Sequence, residues 1–201
     1  MNKARIAVLV SGGGTNLQAL LDAQGSVINS GEIVLVISNK EGAYALERAK
    51  MAGVEGVTIT RKIYGDAFEK TILDCLSSHK IDIIVLAGFL SVLSEDFVKH
   101  YPNRIINIHP SLIPKHCGDG FYGLRVHESV LASGDKVTGA TVHFVNEVTD
   151  GGEIIFQKEV EVLPDDTPEI LQKRVMEQAE WILLPKACEL VSKKIIEERA
   201  I

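Results

Sequence analysis

Three short stretches of the chain hold residue types able to do chemistry. The first is Asn107-Ile108-His109-Pro110-Ser111, where an amide and an imidazole stand two residues apart at the end of an apolar run. Alternate side chains of an extended segment share a face, so Asn107 and His109 can address one substrate atom. Pro110 confines His109 to extended backbone and ends the strand just after it. An amide N–H beside a protonated imidazole is equipment for stabilising an oxyanion. The competing reading is a strand-end histidine that caps a neighbouring carbonyl.

The second stretch is Ser11-Gly12-Gly13-Gly14-Thr15-Asn16, directly after the apolar run Ile6 to Val10. A Gly-rich strand-to-helix turn lets backbone N–H groups approach an anion, and the helix dipole favours negative charge there. Thr15 and Asn16 add side-chain donors. Leu17 breaks a Gly-x-Gly-x-x-Gly pattern and no Gly-Lys-Ser/Thr follows, which argues against a nicotinamide dinucleotide or a nucleoside triphosphate. A tight turn with a helix cap is the alternative. The third stretch is Asp150-Gly151-Gly152, preceded by Asn146-Glu147-Val148-Thr149. Asp-Gly-Gly is most often only a turn, and nothing in the sequence brings Asp150 beside His109.

Other features are set aside. His127-Glu128 opens like a zinc-protease motif, but Leu131 stands where the second histidine is required. His79, His100 and His116 share no ligand spacing. Ser11 and Ser111 lack a nucleophile-elbow context. Cys117 has no activating partner nearby in sequence, and Ile170, Leu171 and Val175 read as helical core.

These stretches are positioned by alternating elements. Arg5 to Val10, Glu32 to Ser38, Val57 to Thr60, Asp82 to Ala87 and Arg104 to Ile108 read as strands, the first, second and fourth with apolar interiors and no polar alternation, as in a sheet buried on both faces. Leu17 to Ala23, Ala43 to Ala52, Ala67 to Ser78 and Glu95 to His100 read as the helices between them. After a helix near Leu124 to Leu131, the strands Thr141 to Val145 and Ile154 to Val162 follow one another around Gly151-Gly152. Thr167 caps a final helix with Pro168 at its first position; it runs to Ala200 with a bend expected at Pro185. The fold class is therefore α/β: a mostly parallel, doubly wound (Rossmann-like) sheet with an antiparallel C-terminal extension and helices on both faces, in one domain of residues 1–201. The strand ends carrying Gly14 and His109 lie where such sheets bind ligands.

In this order the motifs resemble the phosphoribosylglycinamide formyltransferase family over essentially the whole chain. The resemblance rests on Ser11 to Leu17, Leu86 to Phe89, Ile106 to Pro114, Gly139 to Val145 and Asp150 to Gly152. It implies the formyltransferase fold and transfer of a formyl group from the co-substrate 10-formyltetrahydrofolate to glycinamide ribonucleotide in purine biosynthesis, with no metal. It implies Asn107, His109 and Asp150 as catalytic residues, with Asp150 keeping His109 protonated more readily than a free imidazole. Gly14, Thr15, Asn16 and Glu180 would hold the ribonucleotide. Leu90, Ser91, Val92, Leu93, Asn107, Asn146, Glu147, Val148, Thr149 and Asp150 would surround the folate. Two departures stand out. The segment His116 to Gly123 is longer than the loop of many members and is placed to form part of the site's rim. The basic residue that some members set before the third helix is absent near Gly65, which leaves either Arg61 or Lys62 as a substitute or a folate tail gripped less tightly.

Composition limits the partners. A net charge of −6 with interspersed signs provides no basic stripe for nucleic acid. Three scattered cysteines with no C-x-x-C suit the reducing cytosol, and no apolar run is long enough for a membrane span; a cytoplasmic enzyme is expected. Monomer and homodimer are equally compatible. The rival readings are a formyltetrahydrofolate deformylase-like hydrolase, in which an extra N-terminal region is expected ahead of the first strand, and methionyl-tRNA formyltransferase, in which a C-terminal domain is expected after the last helix. A non-catalytic nucleotide-binding module would need none of Asn107, His109 and Asp150.

Overall fold

The computed structural model describes residues 3–200, so Met1, Asn2 and Ile201 of the expected domain lie outside the described residues. Among the described residues, β1 (Ala4–Val10), β2 (Gly31–Ser38), β3 (Glu55–Thr58), β4 (Ile83–Leu86), β5 (Ile105–His109), β6 (Val137–Phe144) and β7 (Ile154–Glu161) form one sheet. Its order is β3-β2-β1-β4-β5-β6-β7. The first five strands are parallel, while β6 runs antiparallel to β5 and β7 to β6.

The unbroken apolar runs follow from this arrangement, because both faces are covered. From β1, Ile6, Val8 and Val10 enter one core layer with α1 (Thr15–Asp22), α2 (Tyr44–Met51), α6 (Leu124–Ser133), α7 (Pro168–Val175) and α8 (Trp181–Arg199). Ala7 and Leu9 point the other way, into a layer with α4 (Phe68–Ser78) and α5 (Glu95–Lys99). Each fully buried Leu or Ile in these layers contributes roughly 1.5–3 kcal/mol by leaving water. The strand order reverses between β1 and β4, which opens a crevice at their carboxyl ends.

Four local departures from the sequence reading have physical causes. The first helix starts at Thr15 rather than Leu17, because Gly14 is left-handed (φ 73°) and makes the turn alone. Thr15 and Asn16 thus belong to the first turn of α1. A four-residue helix, α3 (Arg61–Tyr64), and a 3₁₀ turn over Gly65–Ala67 precede α4; segments this short show no periodicity in sequence. Strand β6 begins at Val137, ahead of the expected Thr141, because Val137 to Ala140 pair in register with Lys158 to Glu161 of β7. The long final helix is interrupted by a π segment at Met176–Glu180, while Pro185 sits buried inside α8. A π turn shifts the helical register, and here it leaves Glu177 at the surface and turns Glu180 inward, 6% exposed.

Candidate active site

Strand β5 delivers Asn107 and His109 to one face at the sheet's carboxyl edge, and both border the same cavity. Asp150 reaches them from the connection between β6 and β7. That connection doubles back tightly: Asp150 is itself left-handed (φ 54°), and a Cβ on Gly152 would lie 1.7 Å from the Phe144 carbonyl oxygen. Only glycine permits that approach. The result sets Asp150 Oδ2 3.4 Å from His109 Nδ1 and Asp150 Oδ1 3.4 Å from Asn107 Nδ2. Both distances are long for a hydrogen bond, and contacts of this kind commonly tighten when substrate arrives.

Burial dominates the electrostatics of His109. It draws the imidazole below its ordinary range, against the pull of Asp150 and of the His116 carbonyl, with His143 reinforcing the fall. The expectation that Asp150 keeps His109 more readily protonated than a free imidazole is therefore corrected, since desolvation penalises the cation more than one carboxylate supports it. Burial works to raise Asp150, but His143, His109 and the Gly118 amide together bring it below the usual carboxylate range. The resting pair is thus a neutral imidazole beside a carboxylate.

The cavity these residues border has a volume of about 320 Å³. Leu90 to Leu93 form one wall, Asn146 to Asp150 another and Gly118 to Gly123 a third. The long loop is therefore part of the rim, and Thr149 Oγ1 latches it by donating to Asp119 at 3.2 Å. Neither Arg61 nor Lys62 lines the cavity. Arg61 instead lies 4.9 Å over the Phe68 ring and 3.9 Å from Glu69.

The candidate ribonucleotide residues form a second cluster beside this cavity. Asn16 Nδ2 donates to Glu180 Oε2 at 2.7 Å, and Thr15 Oγ1 lies 3.7 Å from Met176 Sδ. The π segment therefore faces the turn after β1. Burial pushes the Glu180 carboxyl up to about 7, with Asn16 pulling the other way. Asn16 Oδ1 is buried without a protein partner, an acceptor that a donor from a ligand or a water would satisfy. Leu90 N–H donates to Ser11 Oγ at 2.8 Å, tying the two clusters together.

A family model described as formyl transferase matches residues 4–187. The chain belongs to the formyl transferase family. Within that family it is 43% identical over 176 residues to a phosphoribosylglycinamide formyltransferase of Haemophilus influenzae, covering 87% of this chain and 81% of that protein. It is equally 43% identical over 198 residues to the trifunctional purine biosynthetic protein adenosine-3 of Gallus gallus, covering 98% of this chain. The chain spans only 19% of that relative's length. A crystal structure of glycinamide ribonucleotide transformylase 1 from Symbiobacterium toebii superposes with a TM-score of 0.89 at 39% identity, covering 96% of this chain and 89% of that one. The fold is the formyltransferase fold, and the chain belongs to its phosphoribosylglycinamide formyltransferase branch.

Several groups around the candidate site have contacts that the sequence does not reveal. His143, on β6, directs Nδ1 at the Phe144 carbonyl (2.8 Å) and donates to it. Its Nε2 lies 3.2 Å from Asn107 Nδ2 and 3.5 Å from Asp150 Oδ1, so it touches both groups. Antiparallel pairing of β5 with β6 sets Asn107 opposite His143. Arg48 donates from Nε to the Gly13 carbonyl at 2.8 Å, placing a cation beside the glycine turn. Behind His109, the His116 carbonyl accepts from Nε2 at 2.9 Å.

Proposed function

We propose that the protein transfers the formyl group of 10-formyltetrahydrofolate to the amine of glycinamide ribonucleotide, acting in the cytoplasm as one domain of residues 1–201. The observation that carries this reading is the meeting of Asn107 and His109 of β5 with Asp150 of the β6–β7 connection at the edge of one cavity. Asn107 and His109 are the catalytic donors and Asp150 supports the charge that forms on His109. Gly14, Thr15, Asn16 and Glu180 receive the ribonucleotide; Leu90 to Leu93 and Asn146 to Asp150 receive the folate.

The geometry suits the chemistry in sequence. An amine arriving as ammonium gives a proton to neutral His109, which leaves a nucleophilic nitrogen and an imidazolium. The nitrogen attacks the formyl carbon, and the carbonyl electron pair moves to oxygen. Asn107 and the imidazolium stabilise that oxyanion, an interaction worth about 10²–10³ in turnover per donor. Collapse breaks the bond to the folate nitrogen, which takes up a proton, and the new amide nitrogen gives one up. One proton is released overall when the amine enters charged.

Folate absorbance followed with and without the ribonucleotide tests the reading. Consumption far faster with ribonucleotide present is expected; equal rates in both cuvettes would assign the chain to formyl hydrolysis instead.

A further inference from the structure

A side-chain cluster behind the candidate site has no part in the chemistry above. His116 is gripped at both ring nitrogens: Nδ1 lies 2.8 Å from Ser129 Oγ on α6, and Nε2 lies 2.8 Å from Asp135 Oδ2. Asp135 takes a further bond from Lys115 Nζ at 3.0 Å. The His116 and Lys115 donors hold its carboxyl down at about 2. The members are those of a Ser–His–Asp relay, yet none of the three side chains lines the cavity, so a hydrolytic role has no substrate to act on. The His116 ring also stands edge-on to Phe121 of the cavity wall, with centroids 6.4 Å apart.

What reaches the site is the main chain. His116 is left-handed (φ 50°), a conformation disfavoured for a residue with a Cβ. Such backbone persists where its surroundings over-determine it, and the two ring bonds do so here. The turn they hold touches both members of the candidate pair: the His116 carbonyl accepts from His109 Nε2 at 2.9 Å, and Gly118 N–H donates to Asp150 Oδ2 at 2.9 Å. A carbonyl only accepts, so Nε2 must carry hydrogen. The nitrogen left to titrate is Nδ1, which faces Asp150 at 3.4 Å.

We propose that His116, clamped by Ser129 and Asp135, is a positioning residue whose turn fixes the His109 tautomer and dedicates Nδ1 to Asp150 and the substrate. Its kinetic consequence rests on the formyl-transfer reading; its effect on the tautomer does not.

Two-bond ¹H–¹⁵N spectra of the imidazoles test it, with the His109 signals identified by their loss in His109→Asn. In the unaltered protein His109 should show hydrogen on Nε2. In His116→Leu the Nε2 signal should move and the tautomers mix. Turnover should fall about 10- to 100-fold, the usual scale for removing an outer hydrogen-bond partner, with KM for both substrates little changed. His116→Gln can still donate to Asp135 and accept from Ser129, and should restore most of the turnover. A folded His116→Leu protein with unchanged His109 signals would overturn the proposal. Should that variant not fold, Ser129→Ala combined with Asp135→Asn is read in the same way, and unchanged His109 signals there overturn it too. If the unaltered protein shows the Nε2 tautomer and the variants disturb it while no formyl transfer is detected, the failure lies with the reaction and the clamp stands.

Discussion

At position 109 burial and His143 lower the imidazole while Asp150 and the His116 carbonyl raise it, and the largest of these is burial. A catalytic group whose charged form is disfavoured at rest can accept a proton when the substrate brings one, and the carboxylate beside it then stabilises the result. Asp150→Asn removes that carboxylate with little change of volume. The His109 pKa should fall further, and turnover should drop roughly 10²- to 10⁴-fold, the scale of lost acid–base assistance. KM should change much less, because the lost interaction belongs mainly to the transition state. His109→Asn should be similarly damaging and the double variant little worse than either, since groups acting as a unit are non-additive. Steady-state rates with an NMR titration of His109 check this. Multiplicative losses together with an unmoved His109 would reduce Asp150 to a turn residue.

At the scale of elements, the glycines after β1 divide into structural and functional positions. Gly14 is left-handed, and a Cβ there would lie 2.7 Å from the Ala45 Cβ on α2. A side chain at Gly14 would therefore strike α2 before it could bear on a ligand. Gly14→Val should destabilise the fold by about 2–4 kcal/mol, from left-handed strain and overpacking together. Gly13 has ordinary backbone and open space where its Cβ would go, so Gly13→Val should fold normally. It should weaken ribonucleotide binding while sparing folate, because the added side chain would crowd the amides proposed to receive the ribonucleotide's phosphate. Urea unfolding and separate calorimetric titrations test the pair; equal losses for both ligands in Gly13→Val would place the phosphate elsewhere. The same logic governs the Asp150 turn. Gly152→Ala should cost about 1–3 kcal/mol through its clash with the Phe144 carbonyl, and should lower turnover with it by displacing Asp150. Normal turnover in a stable Gly152→Ala protein would show that the turn's path is dispensable.

At the scale of the whole molecule, two buried groups outside the cavity lining set opposing pH dependences. His127 is fully buried with both ring nitrogens unpartnered, and burial, aided by His109, lowers its pKa from 6.5 to about 4. Between those values the unfolded chain takes a proton that the folded chain refuses, so this contribution to stability is full above pH 6.5 and is lost as the pH falls to about 4. Glu180 behaves oppositely. Its pKa rises from 4.5 to about 7, so its contribution is full below pH 4.5 and is lost as the pH rises to about 7. The two nearly cancel where their windows overlap. Measured against the unaltered protein, His127→Leu should gain up to about 3 kcal/mol as the pH falls through the His127 window, at about 1.4 kcal/mol per unit. Glu180→Gln should lose a similar amount as the pH falls through the Glu180 window. Urea midpoints across this range decide; parallel curves for all three proteins would mean that neither group is held away from its ordinary pKa.

The α/β order, the antiparallel extension, the carboxyl-edge location of the Asn107 and His109 pair and the glycine turn were all legible in the chain. Each is local: apolar runs, Gly and Pro positions and period-two alternation act within a few residues. The approach of Asp150 to His109 was not local, because it depends on the close pass of Gly152 under Phe144. Nor were the inward turn of Glu180, which a π segment sets by shifting helical register, or the role of His143, which antiparallel pairing with β5 decides. His116 shows the limit most plainly. Its partners Ser129 and Asp135 lie 13 and 19 residues away, with no periodicity linking them. Residue types and spacing thus determined the elements and the candidate chemistry, while the direction of His109 and the charge it carries were decided only by burial and by contacts between segments distant in the chain.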